Sequence, residues 1–188
     1  MENYELVLLL DSSVKEADRE KFLSDFESKF KDYIVQKDNI GLKNLVYPIK
    51  GNLANDKAYL YSYYLNIETS DVKLIGQEFL YNKLILKYDV FRRNKNEINF
   101  EFEKLQKDLQ VIIDSREEKK LGQKISFFSD LKYSKYINRK SVVMLKKYIT
   151  RFGNIKPRKY TNNSLSTQKK LRREIIRARN FGLIEFIK

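Results

Sequence analysis

The residues in this chain whose types and spacing could do chemistry are cations. Residues 124–188 carry 18 Lys and Arg against only Asp130, Glu174 and Glu185, a net of +15. Residues 1–123 carry 20 Lys and Arg against 22 Asp and Glu, a net of −2, so the whole charge of +13 comes from the last third. Basic side chains at this density repel one another unless anions lie among them. Phosphates fit best, because each one neutralised releases condensed counterions and makes binding steeply salt-dependent. A membrane surface is the competing anionic partner, and a disordered basic tail is the bland reading.

Other chemistry is poorly supplied. The chain has no histidine, which removes the usual general base near neutral pH and the commonest zinc ligand. It has no cysteine, hence neither disulfides nor a thiolate metal site. With six glycines there is no Gly-rich phosphate loop. The carboxylate clusters Glu16-Asp18-Glu20 and Glu101-Glu103 sit among lysines and read as solvated faces. The expectation is a non-enzymatic binder with no catalytic residues, no metal, no cofactor and no small-molecule substrate. No run reaches the length of a membrane span. The start, Met1-Glu2-Asn3-Tyr4-Glu5, resembles neither a secretory signal nor a transit peptide, so a cytosolic location is expected.

The elements that must position the cations follow from periodicity. Ser141–Phe152 reads as a helix with an apolar stripe of Val142, Leu145, Tyr148, Ile149 and Phe152, leaving Lys146, Lys147 and Arg151 largely off it. Gly153 is placed to end that helix in the left-handed conformation. Lys156-Pro157-Arg158-Lys159 reads as an extended basic loop stiffened by its proline. Residues 161–167 form a polar turn rich in N-capping groups. A second helix buries Leu171, Ile175 and Ala178 and spreads Arg172, Arg173, Arg177 and Arg179 over its remaining surface. Arginine suits phosphate because its planar fork binds two oxygens at once.

Ahead of the basic third, Tyr4–Leu10 reads as a buried strand. Phe22, Phe26 and Phe30 recur every four residues on a helix. Asp38-Asn39 and Gly41 surround an expected break, and Leu42–Ile49 reads as a strand with Pro48 at an edge or end. Gly51–Asp56 is turn-rich, Ala58–Ile67 a strand, Asp71–Tyr81 a helix and Leu84–Phe91 a last strand. This is the split βαββαβ, ferredoxin-like order: an antiparallel four-stranded sheet with two helices on one face, an α+β fold that names no function. The tyrosines of Ala58–Tyr64 read as core and sheet-face packing, with base stacking as the alternative. The expected organisation is a ferredoxin-like domain over 1–93, a charged connector over 94–124 and a small, mostly helical basic module over 125–188. In the connector Phe102, Leu105, Leu109 and Ile112 make one apolar helical stripe, followed by the charge run Arg116–Lys120. That stripe either packs on a domain or meets a neighbouring protein.

The first module resembles small-subunit ribosomal protein six. The resemblance rests on the strand with Tyr4-Glu5, on Gly41-Leu42-Lys43-Asn44-Leu45-Val46-Tyr47-Pro48-Ile49-Lys50 and on Ala58-Tyr59-Leu60. It covers about residues 2–93, with Asn44 in place of a usual basic residue. The basic third is similar to small-subunit ribosomal protein eighteen, without insertion or deletion. It carries Ile137–Ser141, Gly153-Asn154-Ile155-Lys156-Pro157-Arg158-Lys159, Thr161, Gln168-Lys169-Lys170-Leu171, Ile175 and Arg177-Ala178-Arg179. Asn162 replaces a glycine, a substitution its tolerance of left-handed backbone permits. Ser166 and Ile176 replace usual lysines, and the metal-ligand cysteines of some relatives are absent.

The two resemblances together imply a fusion, in the order six then eighteen. Those families sit side by side on the platform of the small ribosomal subunit and bind its RNA. The implied function is a structural constituent of that subunit on a cytoplasmic ribosome, in preference to an organellar one. The alternative is a non-ribosomal RNA-binding regulator or RNA chaperone. The partners implied are small-subunit rRNA and neighbouring ribosomal proteins. An intramolecular contact is also expected, in which the first module's sheet or its edge covers Leu145, Ile149 and Leu171. The expected RNA contacts are Arg92 and Arg93 at the end of the first module's last strand, and Arg139, Lys140, Lys146, Lys147, Arg151, Lys156, Arg158 and Lys159. They continue with Thr161, Lys169, Lys170, Arg172, Arg173, Arg177 and Arg179.

Overall fold

The computed structural model of the chain describes residues 1–49, 56–94, 97–117, 128 and 131–186. It comprises two compact units, Met1–Asn99 and Phe100–Lys188.

The first unit runs β1 (Glu2–Asp11), α1 (Glu16–Lys29), β2 (Ile34–Asn44), β3 (Lys57–Ile67), α2 (Val72–Phe79) and β4 (Ile85–Arg92). The strands form one antiparallel sheet in the order β2-β3-β1-β4. β1 is therefore a central strand, and Tyr4 through Leu10, apolar except for Glu5, are all buried. Alternate residues Tyr4, Leu6, Leu8 and Leu10 share one core with Tyr61, Tyr63 and Leu65 of β3, with Phe26, Ile75 and Phe79 of the helices and with Phe30, which ends α1. Both helices consequently cover the same face of the sheet. Phe26 is the hub, with its ring centroid 4.9 Å from Phe30, 5.3 Å from Phe79 and 5.3 Å edge-on from Tyr63. The Tyr63 hydroxyl donates to Glu27 Oε1 at 2.8 Å. Burial first, then that hydrogen bond, pushes the phenol above the usual tyrosine range. Tyr61, Tyr63 and Tyr64 are buried, so these β3 tyrosines pack the sheet and are not open to a base.

One strand is not where the sequence pattern puts it. β2 spans Ile34–Asn44 instead of Leu42–Ile49 and passes straight through the expected break. The break signals become a bulge. The register slips between Asn39 and Gly41, Gly41 takes φ +79°, and its N–H donates to Asn39 Oδ1 at 3.1 Å. As an edge strand β2 buries only Asp38 and Ile40, so it has little hydrophobic signal to read. Pro48 lies beyond its end, and the expected turn over 51–55 lies outside the described residues.

The second unit contains α3 (Phe102–Glu117), α4 (Leu131–Ser134), α5 (Val142–Lys146), α6 (Arg158–Thr161) and α7 (Leu165–Asn180). α3 comes from the expected connector and belongs to this unit. Its stripe is buried at Leu105, Leu109 and Ile113, with Ile112 at the margin. Residues 118–120 of the charge run lie outside the described residues. Leu145, Leu171, Ile175 and Ala178 are buried as the periodicity predicts.

The expected helix over Ser141–Phe152 is a single turn and a half, Val142–Lys146. After it the chain makes a hairpin. Ile149 bridges Ile155, Lys156 N–H donates to Tyr148 O at 2.8 Å, and Thr150 N–H donates to Asn154 O at 2.7 Å. The β-branched residues Ile149, Thr150 and Ile155 favour this extended pairing over continued helix. Gly153 is left-handed, at φ +84°, and closes the hairpin rather than the helix. The loop expected over Lys156–Lys159 is extended only as far as Pro157, where α6 begins. Asn162, left-handed at φ 54°, ends α6.

Ser164 caps α7, its Oγ accepting the Thr167 N–H at 3.1 Å. Replacing Ser164 by alanine is expected to lower stability by about 0.5–2 kcal/mol, read as a lower denaturation midpoint. An unchanged midpoint would mean that the cap is dispensable.

Candidate nucleic-acid interface

Between Asp130 and Glu174 the sequence has no acidic residue at all. The fold sorts the cations of this stretch and of α7 by depth. Lys146 at the end of α5, Arg151 in the hairpin turn, Arg158 and Lys159 on α6, and Lys169, Arg172 and Arg173 on α7 are exposed. Pro157 sets up α6, so Arg158 and Lys159 stand on the first turn of a helix rather than along a loop.

A second group is half-buried. The Lys156 ammonium donates to Lys147 O at 2.8 Å, which ties it to the end of α5. Arg177 reaches Glu174 Oε1 at 2.7 Å. Lys147 and Lys170 are also half-buried.

A third group of the expected RNA contacts, Arg139, Lys140, Thr161 and Arg179, is buried, whereas the helix periodicity leaves Arg179 on the surface. The Arg139 N–H donates to Glu174 Oε2 at 3.1 Å. Lys140 Nζ donates to Phe100 O at 3.2 Å, and Lys140 O accepts from Gln106 Nε2 at 3.3 Å. These bonds, with the Phe100–Tyr136 ring contact at 5.8 Å, fasten α3 to the segment before α5. Arg179 donates Nε to Glu185 O at 3.0 Å and Nη2 to Gly153 O, and burial lowers its pKa from the usual guanidinium value. Thr161 Oγ1 and Asn163 Nδ2 both meet Gln168 Oε1 at 3.2 Å, while Gln168 Nε2 donates to Lys156 O at 2.9 Å. Gln168 thereby binds the basic loop, α6 and α7 together. Its place in the quoted motif was legible, but its role was not.

Arg92 and Arg93 part company. Arg92 is exposed and pairs with the Glu2 carboxylate. The Arg93 side chain is only 8% exposed. Its Nε lies 4.0 Å from Glu5 and 3.6 Å from Glu97, and its guanidinium stands 4.7 Å over the Tyr64 ring. Glu5, itself buried, accepts from Ser62 Oγ at 2.7 Å. Arg93 is thus held at the strand end by carboxylates and a ring of its own unit, while Arg92 stands at the surface.

Beside the exposed cations Arg151 and Lys159, the sequence reading missed the exposed rings of Phe152, at 71%, and Tyr160, at 64%. Among the described residues no cluster of His, Cys, Asp or Glu could hold a metal ion. No helix there is long and apolar enough to cross a membrane.

Comparison with known proteins adds the following. Residues 133–184 match the family model of Ribosomal protein S18, and residues 3–92 match that of Ribosomal protein S6. The small ribosomal subunit protein bS18 of Mycoplasma capricolum is 40% identical over 68 residues, which is 36% of this chain and 89% of the relative. The bS18 of Acholeplasma laidlawii is 38% identical over 66 residues, 35% of this chain and 81% of the relative. A crystal structure of 30S ribosomal protein S6 from Thermotoga maritima aligns with a TM-score of 0.45 at 16% identity, covering 58% of this chain and 96% of that one.

Proposed function

The chain belongs to the ribosomal protein S18 family and carries a ribosomal protein S6 region ahead of it, and from that premise we propose that its exposed cations grip small-subunit rRNA. The protein is a structural, non-enzymatic constituent of the small subunit of a cytoplasmic ribosome. It binds rRNA and other ribosomal proteins. The RNA contacts are Lys146, Arg151, Arg158, Lys159, Lys169, Arg172 and Arg173, supported by the half-buried cations beside them. Arg92 is a candidate once its pair with Glu2 opens. The S6-type unit serves mainly as protein scaffold, and one chain delivers both modules at fixed stoichiometry. The observation that carries this reading is the set of exposed cations on a stretch with no acidic residue.

Replacing Arg158 and Lys159 together by alanine is expected to weaken rRNA binding. It should also flatten the dependence of log K on log salt by up to roughly two contacts' worth, about 0.9 per contact at duplex-like charge density and less elsewhere. A salt titration of the two proteins reads this directly, and an unchanged slope removes both residues from the interface. Density-gradient sedimentation of cell extract should place the protein with the small subunit at unit stoichiometry. Recovery mainly in other fractions would overturn the ribosomal role.

A further inference from the structure

Phe152 occupies a position that its sequence does not explain. By periodicity it closes an apolar stripe, yet it is 71% exposed, because α5 stops at Lys146 and the chain turns into the hairpin. The backbone around it is tied down. Gly153 N–H donates to Thr150 O at 3.0 Å, Asn154 N–H donates to Thr150 Oγ1 at 3.0 Å, and the buried Arg179 guanidinium holds Gly153 O. The ring therefore projects from a fixed tip. Its chain neighbour Arg151 is exposed as well.

A single exposed apolar side chain is ordinary. This one is a flat π surface beside a guanidinium, in a stretch whose charge selects an anionic partner. Single-stranded RNA offers unpaired bases that stack on aromatic rings while the phosphates on either side meet cations. A ring on a fixed tip loses little freedom when a base settles on it.

We propose that Phe152 is a base-stacking platform: it receives an unpaired nucleobase of rRNA, with Arg151 on an adjoining phosphate. This inference rests on the rRNA-binding reading above and adds to it a contact that does not depend on charge.

The full chain contains no tryptophan, so Phe152→Trp introduces a single indole that reports on the site. With small-subunit rRNA as the probe, three results are expected. Phe152→Ala should weaken binding roughly 5- to 150-fold with an unchanged salt slope. Phe152→Leu, apolar but without a π face, should weaken it similarly. Phe152→Trp should bind at least as well as wild type, with its emission quenched by the RNA. Wild-type affinity in Phe152→Ala, or an unquenched indole at saturating RNA, overturns the platform while leaving the charge-based interface standing. Full affinity in Phe152→Leu overturns it too, and points to an apolar contact with the RNA that needs no π face. Failure of the wild-type chain to bind rRNA would sink both readings. Because the side chain is exposed, thermal melts of all three variants should match wild type, which separates any binding loss from misfolding.

Discussion

Replacing Glu174 by alanine is expected to lower the stability of the second unit by about 1–3 kcal/mol, the usual cost of leaving a buried hydrogen-bonding group without its partner. Glu174 is 5% exposed. One carboxylate oxygen accepts the Arg139 N–H at 3.1 Å, the other accepts Arg177 at 2.7 Å, and Arg173 Nε lies 3.9 Å away. Removing the carboxylate leaves a buried amide without an acceptor and leaves the repulsion between Arg173 and Arg177 uncompensated. A small helical module has little stability to spare, so the loss should approach unfolding. Glu174→Gln keeps a carbonyl acceptor for the Arg139 amide and should recover part of the difference. Chemical denaturation of the three proteins checks this, with far-UV dichroism as the probe. A midpoint for Glu174→Ala equal to wild type would show that the network contributes nothing. The substitution also adds a unit of positive net charge, so any weakening of RNA binding must come from lost structure and not from lost charge.

Arg179→Ala is expected to destabilise the same unit by about 1–3 kcal/mol for each of the two carbonyls it now satisfies, those of Gly153 and Glu185. Its guanidinium also stands 5.8 Å over the Phe186 ring, so its removal costs packing as well. Arg179→Lys should restore only part, because one ammonium does not reproduce a fork that spans two carbonyls. The contrast is Arg172→Ala, an exposed change on the same helix. It should leave stability within about 0.5 kcal/mol and reduce the salt slope by roughly one contact. Folded Arg179→Ala should keep the wild-type salt slope. If instead its stability is unchanged and its slope falls, Arg179 is a phosphate ligand and the buried placement does not describe its working state.

Much of this protein is legible in its sequence because the relevant signals are local. The charge contrast between the two parts of the chain is arithmetic on residue types. The central strand shows as the run Tyr4–Leu10, where a strand buried on both faces is apolar at every position but Glu5, whose carboxylate is bound by Ser62. The Phe22, Phe26, Phe30 spacing and the Leu171, Ile175, Ala178 spacing place α1 and α7, whose buried faces repeat with the helical period. That residues 161–167 hold the cap of α7 and that Asn162 tolerates left-handed backbone are single-residue chemistry and were equally readable, although only the structure picks out Ser164.

Where sequence reasoning failed, a neighbour distant in the chain decided the outcome. β2 has no apolar face of its own, and its extent is set by pairing with β3 from Asn44 opposite Lys57 to Ile34 opposite Leu65. The segment after Lys146 carries a stripe compatible with helix, yet Ile149 finds Ile155 and the same residues become a hairpin, turning Phe152 outward. Whether a given arginine or lysine is a phosphate contact or a fastener is likewise a long-range question. The Lys140 ammonium is bound to Phe100, 40 residues away, and the Arg179 guanidinium to Gly153, 26 away.

The amino-acid sequence by itself determined where the positive charge lies, in the last third, and placed the central strand, α1 and α7. Composition and period are properties of short windows. Only the tertiary structure decided which cations remain at the surface. Burying a cation demands an acceptor within hydrogen-bond reach, and the fold alone brings that acceptor there.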